Sequence, residues 1–171
     1  MIALSYSLLS LVRSAAAALS LLAAGAVAAH AEPIETQARQ AILIDFKTGA
    51  VLLEKNADEL MVPSSMSKLM TAYIATLEIR NGKIGEQDMV TVSEKAWRTG
   101  GSRMFIQVNT QVSVSDLLHG IIIQSGNDAS VAIAEYIAGS EEAFADMMNA
   151  TAQRLGMHNT HFVNATGLPD P

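Results

Sequence analysis

Ser65-Met66-Ser67-Lys68 sets a hydroxyl and an amine three residues apart, at the head of an apolar run from Met66 to Arg80. On a helix that spacing puts both side chains on one face, so the Lys68 amine can approach the Ser65 hydroxyl. A lysine in apolar surroundings gives up its proton more readily, because desolvation disfavours the charged form, and it can then act as a base toward serine. A serine in the first turn also meets free backbone N–H groups and the positive end of the helix dipole, which favour developing negative charge. Taken alone, the same four residues equally describe a capped helix whose lysine reaches to solvent. A second cluster, Ser125-Gly126-Asn127, interrupts two helical stretches and offers a hydroxyl for proton relay and an amide for hydrogen bonding to a peptide. By itself it is also an ordinary helix connector.

The elements that must hold these groups are readable in outline. Ala41–Asp45 and Ala50–Glu54 are apolar runs flanking Phe46-Lys47-Thr48-Gly49, the pattern of a β-hairpin. Met66–Arg80 reads as a largely buried helix with Ser64 as N-cap and Asn81-Gly82 as its stop. Val90–Val92 and Met104–Val108 read as strands, with a loop over Trp97–Arg103 between them. Helices are expected over Leu117–Gln124, capped by Ser115 or Asp116, from Asp128 to Ala138, and from Ser140 to about Leu155. The segment from His158 to the end has turn and strand character. The sum is a single α/β domain.

Composition narrows the function classes. Half of the 171 residues are hydrophobic and 16% are charged, enough to bury a real core. Arg13, an alanine-rich apolar run and Ala29-His30-Ala31 have the layout of a signal peptide over residues 1–31. Its removal takes away Arg13 alone among the Lys, Arg, Asp and Glu residues, leaving 10 basic against 17 acidic ones over 32–171. Such a surface repels phosphate backbones, so no nucleic-acid partner is expected. No cysteine is present, hence no disulfide framework and no thiolate metal site. His158 and His161 lack companion ligands and read as turn residues, and no G-x-S-x-G surrounds a serine that His119 could serve. No cofactor and no metal are expected.

Together, Ser-x-x-Lys followed by Ser-Gly-Asn resembles the signature of penicillin-binding proteins and serine β-lactamases. The chain is similar in particular to the low-molecular-weight D-alanyl-D-alanine carboxypeptidases of peptidase family S11. Further matching stretches are Pro63–Thr71, Gly101–Phe105, Gln124–Ala129 and Leu155–Phe162. The resemblance implies a β-lactamase/transpeptidase-like three-layer α/β (α+β) fold with an antiparallel sheet, residues 32–171 being the N-terminal part of its catalytic domain. It implies Ser65 as nucleophile, Lys68 as base, Ser125 as proton relay and Asn127 as a substrate-binding residue, with the Ser65 N–H as half of an oxyanion hole. The implied partners are peptidoglycan stem peptides ending in D-Ala-D-Ala and β-lactam inhibitors. The implied location is the periplasm, with peripheral association at the outer face of the cytoplasmic membrane.

The family's third element, Lys-Thr-Gly, should follow Ser-Gly-Asn. Lys47-Thr48-Gly49 precedes it and reads as turn chemistry, and no Lys or Arg follows Arg154. The chain is therefore expected to be a piece of a longer protein, ending before the last strands and inactive alone. Two alternatives stand beside the carboxypeptidase: a non-catalytic wall-binding module on the same scaffold, and a β-lactamase. The β-lactamase is disfavoured because no Glu-x-x-Leu-Asn element is found.

Overall fold

A computed structural model describes residues 34–170. The signal-peptide assignment falls outside that range. The chain divides into two compact units, one ending at Glu59 and the other beginning at Leu60.

The first unit is the expected hairpin. β1 (Ala41–Ile44) pairs antiparallel with β2 (Val51–Lys55), with an irregularity between Leu43 and Ile44. Its turn is built by Asp45, whose carboxylate accepts from the Lys47 and Thr48 N–H groups and the Thr48 hydroxyl. Gly49, at φ +71°, closes the turn by donating its N–H to the Asp45 carbonyl. Lys47-Thr48-Gly49 is thus consumed by local turn geometry.

The second unit is mainly helical. A 3-10 turn, Ser64–Ser67, leads into α1 (Lys68–Arg80). β3 (Met89–Thr91), the short α2 (Glu94–Arg98) and β4 (Gln111–Ser113) follow, and β3 and β4 pair antiparallel. Then come α3 (Val114–Gln124), α4 (Asn127–Ala138) and α5 (Glu141–Arg154). In the described residues the antiparallel pairing takes the form of two separate two-stranded ladders.

Two apolar clusters hold this unit. One gathers Val90, Val92, Ile106, Val114, Leu117, Ile121 and residues 129 and 131–133 of α4. The other gathers Met70, Ile74, Ala134, Phe144, Met148, Ala152, Phe162 and Ala165. α4 serves both clusters, and its residues from Asn127 to Ala134 are all buried. Over that stretch packing partners surround the helix and leave it no solvent face.

Several expectations are corrected. Ser64 is not an N-cap: its φ of +48° is left-handed, whereas a cap residue needs extended backbone, and no side-chain cap bond forms there. Met104–Val108 is not a strand. Phe105 sits at φ +63°, and the N–H groups of Met104 and Ile106 go to the Asp128 carboxylate rather than to a ladder. The strand lies at Gln111–Ser113, three residues too short to signal a strand by themselves, which owe their conformation to pairing with β3. Trp97 and Arg98 belong to α2, capped by Ser93, and not to the loop. α3 starts at Val114 and is capped by Ser113, which also bonds Asp116, so neither Ser115 nor Asp116 is the cap. α4 opens one residue early, at Asn127, and α5 one residue late, at Glu141, with Ser140 as its cap. No strand forms between His158 and Asp170.

Phe144 is fully buried in the second cluster. Phe144→Ala should cost about 3–5 kcal/mol, read as a lower urea midpoint with an unchanged slope; a shift below about 1 kcal/mol would show that this cluster does not carry the unit.

Candidate active site

Ser65 lies in the 3-10 turn and Lys68 is the first residue of α1. The tight turn brings the Lys68 Nζ to 3.0 Å from the Ser65 Oγ, with the serine exposed and the lysine buried. The amine also donates to the Thr166 carbonyl at 2.7 Å, a contact across 98 residues of chain. Burial holds the Lys68 pKa below the ordinary lysine value of 10.5. A neutral amine held this way has one N–H committed to the carbonyl and can turn its lone pair to the hydroxyl, which then becomes the donor.

The Thr166 carbonyl is a group that residue types could not reveal, since every residue has one. It belongs to a loop pressed onto the 3-10 turn at Gly167. A Cβ there would lie 1.8 Å from the Ser64 carbonyl oxygen, and Gly167 has φ +75°, so only glycine fits.

Ser125 and Asn127 form the junction of α3 and α4, both of which pack against α1. Ser125 caps α3 in the left-handed region, φ +54°, with its side chain half-exposed. Such a conformation is disfavoured for serine and marks a position set by its surroundings. Gly126 ties the turn by donating to the Gly120 carbonyl at 2.9 Å. Asn127 is buried and donates through Nδ2 to the Gly100 carbonyl at 2.7 Å, while its own N–H bonds the Ser102 carbonyl. Its Oδ1 is buried with no hydrogen-bond partner among the described residues, an acceptor in reserve. Gly101 makes room for it, since a Cβ there would stand 2.7 Å from Asn127 Nδ2.

Asp128, next in the chain, anchors the facing loop. Its carboxylate takes the N–H groups of Met104 and Ala129 at 3.0 and 2.9 Å and that of Ile106 at 3.3 Å, with Arg103 Nε at 3.8 Å. The Ser102 hydroxyl donates to the Gln124 carbonyl, closing the link between the 100–106 segment and the tripeptide.

The structure therefore joins Ser65 and Lys68 directly. Ser125 and Asn127 reach neither of them by a hydrogen bond; they sit on the adjoining helix junction. His158 bonds Gln153 at 3.2 Å, in keeping with a turn residue. Asp128, Thr166 and Gly167 escaped sequence reasoning. The acid adjoining Ser-Gly-Asn and the glycine after Thr166 were available signals for two of them.

The family described as D-alanyl-D-alanine carboxypeptidase matches residues 26–171. Among curated proteins, the chain is 47% identical to the D-alanyl-D-alanine carboxypeptidase DacC of Escherichia coli, over 82% of the chain and 36% of that protein. It is 43% identical to the DacA enzyme of Haemophilus influenzae, over 81% of the chain and 36% of that protein. It superposes on the crystal structure of the Francisella tularensis D-alanyl-D-alanine carboxypeptidase DacD with a TM-score of 0.78, at 45% identity, over 81% of this chain and 34% of the other. Penicillin-binding protein 5 from Haemophilus influenzae gives the same TM-score at 42% identity, over 82% and 42%. The chain has the fold of these penicillin-binding structures and spans about a third of the length of the curated relatives it matches.

Gly167→Ala should destabilise the protein by more than the roughly 1–2 kcal/mol of a left-handed L-residue, because the methyl also overlaps the Ser64 carbonyl. A melting temperature equal to that of the unsubstituted protein would show that the loop does not press on the turn as described.

Proposed function

The chain belongs to the D-alanyl-D-alanine carboxypeptidase family, and on that premise we propose that the complete protein removes the terminal D-alanine from peptidoglycan stem peptides through an acyl-enzyme on Ser65. The observation that carries this reading is the 3.0 Å contact between the Ser65 hydroxyl and a buried lysine amine whose pKa is lowered by desolvation.

In the proposed sequence, Lys68 takes the hydroxyl proton as Ser65 Oγ attacks the carbonyl of the penultimate D-alanine. The Ser65 N–H supports the oxyanion. The tetrahedral centre collapses to the ester, and the terminal D-alanine leaves with a proton relayed by Ser125. Water then attacks the ester, regenerating the Ser65 hydroxyl and releasing the shortened peptide. Asn127 orients the substrate amide. A β-lactam enters by the same attack, its ring amide opening in place of the peptide bond. Residues 1–31 direct export, and the protein works in the periplasm at the outer face of the cytoplasmic membrane.

The test is labelling by fluorescent penicillin and release of D-alanine from a D-Ala-D-Ala peptide, both measured on the complete protein. Ser65→Ala should abolish both. A protein that never forms an adduct, or a Ser65→Ala variant that still does, sinks the proposal. The pH dependence has a definite sign. The neutral amine is the active form and burial lowers its pKa, so acylation should rise along a limb centred below 10.5 and vanish in Lys68→Met. A limb at or above 10.5, or one surviving in Lys68→Met, would remove Lys68 from the role of base.

A further inference from the structure

We propose that the 164–167 loop is a positioning element for the Lys68 amine, and that Thr71, Glu141 and Asn164 are the positioning residues that hold it. This rests on the reading of Lys68 as the base. Among the described residues the amine is fixed by two hydrogen bonds, of which Ser65 is the reacting partner and the Thr166 carbonyl the one available for orientation. A backbone carbonyl orients a neighbour only as well as its own loop is held.

Three side chains hold this loop, from three directions. From α1, the Thr71 hydroxyl donates to the Ala165 carbonyl at 2.7 Å, one turn along the helix from Lys68. From the first turn of α5, Glu141 accepts the Ala165 N–H at 3.1 Å, a buried bond. The other Glu141 oxygen lies 3.0 Å from Lys95 Nζ, which steadies the carboxylate from the solvent side. Within the loop, Asn164 Oδ1 accepts the Gly167 N–H at 2.7 Å, the Thr166 N–H at 3.1 Å and the Thr166 hydroxyl at 3.0 Å. Asn164 Nδ2 completes the wrap by donating to the Leu168 carbonyl at 2.9 Å. Both polar groups of Ala165, and the N–H groups on either side of the Thr166 carbonyl, are thereby committed. That carbonyl itself is committed to Lys68. Thr71 and Lys68 thus bind consecutive carbonyls from one helix face, so the loop cannot slide without breaking both contacts. None of the three residues touches Ser65 or Lys68 by a hydrogen bond.

The experiment compares Glu141→Ala and Thr71→Val with Glu141→Gln and Thr71→Ser in the complete protein, by saturation kinetics of acylation with fluorescent penicillin. The first two variants should lower the limiting acylation rate roughly 10- to 100-fold, the size expected of a misplaced base, with the half-saturating concentration unchanged. Glu141→Gln keeps an acceptor for Ala165 N–H and Thr71→Ser keeps the donor, so both should recover most of the rate. A merely structural role would instead reduce the fraction of active protein and leave the limiting rate per active molecule intact. An unchanged limiting rate in Thr71→Val, or failure of the conservative pair to restore it, overturns the proposal. A crystal structure of Thr71→Val reads positioning without activity: Lys68 Nζ should lose its 2.7 Å contact with the Thr166 carbonyl, and an unmoved Lys68 overturns the proposal. Absence of any adduct on the unsubstituted protein would defeat the catalytic reading separately, whatever the crystal structure of the variant shows.

Discussion

A lysine amine taken out of water must be repaid by hydrogen bonds or lose its charge, and the second unit is arranged around that constraint at Lys68. Desolvation pushes the amine toward neutrality, while the Thr166 carbonyl, as an acceptor, satisfies one N–H in either state. A second direction of the amine points at Ser65. Three features bear on this arrangement. α1 supplies the lysine, α5 and Asn164 secure the carbonyl, and the close approach at Gly167 presses the loop onto the turn that carries the serine.

The same logic recurs at the neighbouring junction with the opposite charge. Asp128 is fully buried, and its carboxylate is compensated by three backbone N–H groups and by Arg103. The acid thereby converts an irregular segment, 100–106, into a fixed wall beside Ser125 and Asn127. Buried polar networks of this kind are costly when half-satisfied and rigid when complete, which suits a site that has to hold small groups in place. Two atoms are exceptions among the described residues: Arg103 Nε, 3.8 Å from the Asp128 carboxylate, and Asn127 Oδ1, an acceptor left over once Nδ2 is committed to Gly100.

Local chemistry made much of the fold legible. The hairpin followed from apolar runs around a Gly-bearing turn, and α5 from its opening at Ser140 and its end before Gly156. Errors arose where distant partners overruled local pattern. Met104–Val108 has the composition of a strand, but Asp128, more than 20 residues away, claims its N–H groups. Gln111–Ser113 is too short a run to signal a strand and becomes one because β3 lies beside it. Ser64 looked like a cap, yet the chain enters the 3-10 turn through a left-handed residue beneath Gly167.

The site divides along the same line. Ser65 and Lys68 were readable because three residues along a turn fix their separation whatever the rest of the chain does. The Ser125-Gly126-Asn127 break was readable because its glycine and polar residues interrupt two helices. Which carbonyl would receive the lysine, how Asn127 would divide its two polar ends, and which acid would brace the facing loop were decided by tertiary structure alone. The physical reason is that these contacts use backbone groups, identical at every residue, brought together across as many as 98 positions by the packing of α1, α4 and α5.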